Sequence, residues 1–234
     1  MDITWYGHSC FRITERNYGS VVCDPYDYEK IGYEPLKLKA DIVTMSSEKP
    51  GHSFLPGIKT DPFVINRPGE YEINNIFVTG HATNGKNEPR NTIFVIEING
   101  IFVAHLGGIN RPPTDDEVED LGTVHVLLVP VGGGAALNAS QAVETIRKIQ
   151  PNIVIPMHYS VARTLPELDP LPKFLKEMGL NQIDETFTTF KVPALAQMPE
   201  DTKVVILDHP LGNETPDDAA EEAVENSTED GNAA

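Results

Sequence analysis

The chain has 234 residues, of which 40% are hydrophobic, and it carries a formal net charge of −17. This length suits a single domain with a substantial core. The acidic balance argues against nucleic acid as a partner, because phosphate contacts need a basic patch. No stretch approaches the roughly 18 consecutive apolar residues of a transmembrane helix, and no basic segment precedes an apolar one at the N-terminus. We therefore predict a cytoplasmic protein with no membrane partner.

The first half of the chain predicts strands. Short apolar runs alternate with turn residues, and Asp24-Pro25 is a stop signal for the third run. Asn99-Gly100 lies between two apolar runs and predicts a two-residue hairpin turn. Cys10 and Cys23 lie in apolar surroundings, which indicates buried thiols and not a disulfide. The predicted strands cover residues 3–6, 10–13, 20–23, 42–44, 62–65, 76–79, 92–98 and 101–106, with 67–72 as a connection.

The second half of the chain mixes helices with strands. A helix is predicted over 113–121, where Thr114 caps an acidic first turn. A second follows over 140–149 with one apolar stripe, and a third near 171–178. Residues 124–129 are apolar enough to form a strand buried on both faces, and further strands are predicted at 153–156, 186–192 and 203–207. Many early strands, with helices between the later ones, predict stacked sheets covered by helices.

The C-terminal segment has a different composition. After Pro210 there are eight acidic residues and no Lys or Arg, so residues 1–209 hold 27 acidic against 18 basic side chains, a net charge of −9. Such a segment buries too little apolar surface to offset its ordering entropy. We predict a folded domain over 1–209 and a disordered acidic tail over 210–234.

Seven short motifs occur in a fixed order along residues 1 to 208, and each is weak by itself. They are 5–11 (WYGHSCF), 24–25 (DP), 68–72 (PGEYE), 91–97 (NTIFVIE), 105–107 (HLG), 127–133 (LLVPVGG) and 155–159 (IPMHY). Together they resemble the metallo-β-lactamase superfamily, and most closely its branch of zinc-dependent hydrolases related to the ascorbate-lactonase group. The resemblance implies an α/β fold, an αββα four-layer sandwich in which two mixed β-sheets are covered by helices. It also implies metals held by loops at one edge of the sheets.

The family's metal ligands carry over to this chain only in part. In the family, the first two His of an H-x-H-x-D-H loop and a later His hold one zinc. A second zinc is held by the Asp and the last His of this loop and by the His of the I-P-M-H-Y segment. An Asp that follows H-L-G bridges the two zinc ions. In this sequence Ser47, Lys49 and Gly51 replace three of the loop ligands, and Gly108 replaces the bridging Asp. His52 and His158 remain, and a third ligand would have to come from His8 or His81.

This set predicts a degenerate metal site. A catalytic zinc needs about three protein ligands and an open position for water, and the ammonium group of Lys49 repels a cation. We therefore expect no cofactor, with one zinc ion as the alternative. The residues expected to line the cleft are His8, Ser47, Lys49, His52, Gly108 and His158.

Three functions follow as hypotheses. The first is a non-hydrolytic binding or regulatory role in which the cationic cleft takes a small anion, a carboxylate or a phosphate. The second is a mononuclear or metal-free hydrolase of a small ester, lactone or phosphoester, including a Ser47–Lys49 nucleophile and base. The third is a homo-oligomeric scaffold. The alternative for the cleft residues is that they are solvated remnants without a role.

The remaining polar residues have structural interpretations. His105 and His125 are predicted to be satisfied histidines of the strands, and His209 to be exposed. Asp24 is predicted either to contact the rim of the site or to cap the turn before Pro25.

Overall fold

The computed structural model describes residues 1–83, 90–180 and 185–209. Within these ranges the helices are α1 (Tyr28–Ile31), α2 (Asp115–Leu121), α3 (Ala139–Ile149) and α4 (Leu171–Glu177), with 3-10 turns at Leu55–Gly57 and Leu195–Gln197. Over the same ranges the strands are β1 (Asp2–Trp5), β2 (Phe11–Glu15), β3 (Gly19–Cys23), β4 (Ile42–Thr44), β5 (Phe63–Ile65), β6 (Gly69–Ile73), β7 (Ile76–Ala82), β8 (Thr92–Ile98), β9 (Ile101–His105), β10 (Val126–Pro130), β11 (Ile153–Met157), β12 (Thr186–Phe187), β13 (Phe190–Lys191), β14 (Lys203–Val204) and β15 (Ile206–Leu207).

Two mixed sheets form the body of the described chain. The first has the order β13-β1-β2-β3-β4-β5, and the second has the order β14-β11-β10-β9-β8-β7-β6. In the first sheet β1 to β3 are antiparallel, whereas β3, β4 and β5 are parallel. In the second sheet β6 to β9 are antiparallel, and β9, β10, β11 and β14 are parallel. The predicted fold, two mixed sheets with helices, is confirmed.

The apolar patterns explain the packing. The strands β10 and β11 are buried along their whole length, as expected for parallel strands covered on both faces. The helix α3 connects these two parallel strands and buries Ala142, Val143 and Ile146 against the body. Apolar residues of both sheets and of α3 and α4 belong to one continuous core. Cys10 and Cys23 are buried and free in this core, and burial raises the pKa of Cys23 to about 12.

One predicted connection is wrong in detail, and one short helix was not predicted. Residues 69–73 form the edge strand β6, which pairs with β7 across a turn at Asn74-Asn75. Both asparagines have positive φ, 53° and 59°, and Asn tolerates this backbone better than most residues, so the pair makes a tight hairpin turn. The short helix α1 was also missed. Asp27 caps its first turn, and Gly32 ends it with φ of 94°.

The predicted late strands over 186–192 and 203–207 each divide into two short strands, β12 with β13 and β14 with β15. No helix in the described ranges is long and apolar enough to cross a membrane. The predicted acidic tail over 210–234 lies outside the described residues.

Candidate functional site

The loops that follow β1, β3, β4, β9, β10 and β11 meet at one edge of the two sheets. This follows from the topology, because parallel strands present their carboxyl ends at the same edge. A cavity of about 330 Å³ lies there. Its walls are formed by His8, Lys30, Ile31, Lys49, Pro50, Gly51, His52, Gly108, Gly134, Ala135, His158, Pro166, Glu167 and Leu168. Five of the six predicted cleft residues are among them, and Ser47 is not.

Three polar residues at this edge have an unusual backbone. His8, Asp24 and His158 adopt positive φ values of 50°, 45° and 54°. Such a conformation is uncommon for residues with a side chain and costs on the order of 1–3 kcal/mol each. The turns hold one another in place, since the His158 amide donates to the His8 carbonyl at 3.0 Å, and the Trp5 indole N–H donates to the same carbonyl at 3.1 Å.

Asp24 holds the loop that carries His52. Its carboxylate is fully buried and accepts hydrogen bonds from the Ser46 amide at 2.7 Å, the Ser46 hydroxyl at 2.6 Å and His52 Nδ1 at 2.6 Å. Burial opposes ionisation of Asp24, but the neighbouring imidazoles of His52 and His105, together with the hydrogen bonds from His52 and Ser46, outweigh it and lower its pKa. An ionised carboxylate only accepts hydrogen bonds, so His52 carries a proton on Nδ1. Its Nε2 lies on the side of Gly108, where an added Cβ would be 3.2 Å away.

His8 and His158 lie beside each other, with ring centroids 4.2 Å apart. Both side chains are buried, and the Nδ1 atom of each has no hydrogen-bond partner among the described residues. Burial lowers the pKa of His158 to about 3, with further contributions from the charges of His52 and Lys49. Burial and the neighbouring histidines also hold the pKa of His8 well below its usual range. The two imidazoles are therefore neutral near pH 7.

Two glycines shape the wall of the cavity. A side chain at Gly51 would overlap the tip of the His8 ring, so His8 fills the space beside residue 51. Gly108 is held close to His52 by the buried side chain of Asn91, whose Oδ1 accepts from the Gly108 amide at 2.9 Å and whose Nδ2 donates to the Leu106 carbonyl. Neither glycine can therefore be replaced by aspartate without movement of a histidine ring.

The charged residues of the cavity are few. Lys49 is half-buried and lines the cavity, and its charge contributes to the lowered pKa of His158. Lys30 and Glu167 are exposed at the rim. The Ser47 hydroxyl accepts from the Lys49 amide at 3.4 Å. Because this contact involves the backbone of Lys49 and not its amino group, it does not support a catalytic pair in which Ser47 is the nucleophile and Lys49 is the base.

A model described as the beta-lactamase superfamily domain matches residues 2–158. The chain belongs to this superfamily. It is 29% identical over 209 residues to a UPF0173 protein of Pyrococcus furiosus, covering 78% of this chain and 93% of that protein. Over 190 residues it is 24% identical to a UPF0173 metal-dependent hydrolase of Thermoplasma acidophilum, and the match covers 68% of this chain and 84% of that protein. A candidate zinc-dependent hydrolase of the metallo-beta-lactamase superfamily from Thermotoga maritima, solved as a crystal structure, is 32% identical. The superposition of the two structures has a TM-score of 0.71 and covers 88% of this chain and 97% of the Thermotoga maritima chain.

The other histidines of this superfamily member lie away from the cavity or serve structural roles. The alternative ligand His81 lies on β7, and its electrostatic neighbours are Asp120 and Glu70. His105 is buried with Nε2 2.8 Å from the Ser9 carbonyl, and His125 Nδ1 accepts from the Phe102 amide. These two predictions are confirmed. The prediction that His209 is exposed is wrong.

His209 is 4% exposed and packs against Trp5 and Tyr33. Its ring lies beside Gly7, where a side chain would overlap it. Burial lowers the pKa of His209 to about 4. No local pattern identified this contact, because it joins residues about 200 positions apart in the sequence.

Sequence reasoning missed the partners that hold the site. Asp24 was weighed as a rim contact or a turn cap, and Ser46 and Asn91 were given no role. A carboxylate directly after the apolar run of β3 was the signal for Asp24, since a charge at the end of a buried strand needs partners. Ser46 and Asn91 gave no comparable signal.

Proposed function

We propose that this chain is a non-hydrolytic, ligand-binding member of the superfamily and that its ligand is a small anion. The observation that carries the proposal is the packing of His8 against Gly51. Where the resembling family has a carboxylate that binds metal, this chain has a glycine, and the imidazole of His8 fills the space beside it.

The donor atoms of the cavity do not fit two metal ions. Two dications need carboxylates to balance their charge, and the residues that line the cavity offer only the exposed Glu167. The carboxylate of Asp24 is fully buried and accepts from Ser46 and His52. Among the residues that the structure describes, no group of three or more His, Cys, Asp or Glu is arranged to hold a metal ion.

Two features support a retained function over solvated remnants. The left-handed backbone at His8, Asp24 and His158 is strained, and strain of this kind concentrates at binding and catalytic sites. The imidazoles of His8, His52 and His158 cluster in the cavity wall with ring centroids 4.2–6.4 Å apart, and convergent polar groups in a largely apolar pocket are typical of a ligand site. Because Lys49 lines the same cavity, these groups favour an anion.

One observation favours a second candidate, a hydrolase with one metal ion or none. The Asp24–His52 hydrogen bond fixes the imidazole with Nε2 directed to the cavity, and a carboxylate that orients a histidine is found in both metal sites and general bases. The substrates would then be small esters, lactones or phosphoesters.

The test is zinc retention combined with turnover. The full chain is loaded with zinc, desalted and measured by elemental mass spectrometry, and then assayed with p-nitrophenyl acetate and bis-p-nitrophenyl phosphate. We expect far less than one zinc per chain and no zinc-dependent turnover. Near-stoichiometric zinc that is lost in the His52→Ala/His158→Ala variant, together with zinc-dependent turnover, would support the one-metal hydrolase and overturn the proposal.

A further inference from the structure

We infer that the ligand of this cavity is a small monocarboxylate with an apolar body. The inference rests on the proposed function and names its ligand class. It combines three properties of the cavity: a cluster of three buried imidazoles in its wall, a half-buried lysine that lines it with them, and a wall that is otherwise mostly apolar.

The head-group position follows from the polar atoms. His8, His52 and His158 are each at least nine-tenths buried, line the cavity, and have ring centroids 4.2–6.4 Å apart. Lys49 lines the same cavity, and its charge acts on His158. A carboxylate in this corner accepts from the ammonium group in a charge-assisted hydrogen bond and accepts from imidazole N–H groups. The inner corner of the cavity is therefore the head-group subsite.

The charge of the ligand follows from the count of cations. Among the described residues that line the cavity, Lys49 is the one half-buried cation, whereas Lys30 is exposed at the rim. Glu167 also lines the rim and repels additional negative charge. One cation balances one anionic charge, so a monocarboxylate fits better than a phosphate monoester that carries close to two charges.

The apolar body follows from the remaining walls. Ile31, Pro50 and Leu168 line the cavity together with Ala135 and Pro166. A volume of about 330 Å³ is at the small end of the range of about 300–1,000 Å³ for ligand pockets. A short aliphatic or cyclic chain therefore fits, and each methylene that it buries strengthens binding.

The experiment measures binding of acetate, butyrate, hexanoate and octanoate to the full chain by calorimetry, with octanol and octyl phosphate as head-group controls. We expect affinity to rise with chain length, by up to about four-fold per buried methylene, until the cavity is filled. Octanol and octyl phosphate are expected to bind at least ten-fold more weakly than octanoate.

Variants test the head-group subsite separately. Lys49→Met keeps the length of the side chain and removes its charge, and we expect it to weaken octanoate at least ten-fold. Lys59→Met is the matched control, since Lys59 is exposed, donates to the Pro56 carbonyl and does not line the cavity. It should bind octanoate as the unaltered chain does.

The inference is overturned if octanol or octyl phosphate binds as tightly as octanoate, if chain length has no effect, or if Lys49→Met binds unchanged. The comparison of head groups uses the unaltered chain, so it decides the question even if a variant folds poorly. A chain that neither retains zinc nor binds carboxylates overturns this inference alone. A chain that retains zinc and turns over esters overturns the proposed function as well.

Discussion

At the scale of single residues, Asp24 organises the inner wall of the cavity. Its carboxylate is fully buried and accepts from both the amide and the hydroxyl of Ser46 as well as from His52. Each of these three donors would be left buried without an acceptor if the carboxylate were lost. The cost of such a loss exceeds the net value of the hydrogen bonds themselves.

We therefore expect Asp24→Asn to destabilise the fold by about 3–5 kcal/mol. The new amide group would place two N–H donors against donors that are already present. Urea unfolding at pH 7 measures the loss, and Asp61→Asn, at an exposed position, serves as the control. A loss for Asp24→Asn no larger than that of the control would contradict the role assigned to this carboxylate.

At the scale of elements, the cavity depends on loops whose ends are fixed by regular structure. The loop after β10 ends where α3 begins, and Gly134 and Ala135 of that loop line the cavity. The helix begins with a capping box, in which Asn138 accepts from the Gln141 amide and the Gln141 side chain accepts from the Asn138 amide. Both contacts satisfy amides that the first turn of a helix leaves without partners.

Asn138→Ala removes the side-chain half of this box, and we expect a loss of about 1 kcal/mol in the free energy of unfolding. Glu144→Ala, at an exposed position in the middle of the same helix, is the matched control and should change stability by less than about 0.5 kcal/mol. Thermal and urea unfolding of the two variants provide the comparison. Equal stabilities would show that the cap contributes nothing to the position of the loop.

At the scale of the whole molecule, the domain boundary predicted at residue 209 directly follows a buried segment. The strand β15 pairs with β12, and Ile206, Leu207 and His209 are each buried. The predicted tail over 210–234 contributes eight acidic side chains and no basic ones, and like charges in one segment disfavour compaction.

A chain that ends at residue 209 should therefore have the same free energy of unfolding in urea as the full chain, within about 0.5 kcal/mol. A chain that ends at residue 205 should lose about 3–6 kcal/mol, because the burial of Ile206 and Leu207 contributes about 1.5–3 kcal/mol each. If the first truncation were as damaging as the second, the predicted tail would be part of the folded domain.

Elements whose signals are local could be predicted from the amino-acid sequence. The Asn99-Gly100 hairpin, the apolar run of β10 and the Thr114 cap of α2 were all predicted, because turn chemistry, burial on both faces and capping each act within a few residues. Seven motifs in order were enough to identify the superfamily. The substitutions at residues 47, 49, 51 and 108 could likewise be read directly from the chain.

The contacts between distant side chains could not be predicted and emerge from the folded structure. The overlap of His8 with the space beside Gly51, the three hydrogen bonds of Asp24 and the packing of His209 on Trp5 each join segments that are tens to hundreds of residues apart. No periodicity or spacing reports such contacts, because they depend on how two sheets bring the ends of their strands to one edge. The strained backbone at His8 and His158 is also a product of that packing, since a local sequence alone favours relaxed conformations.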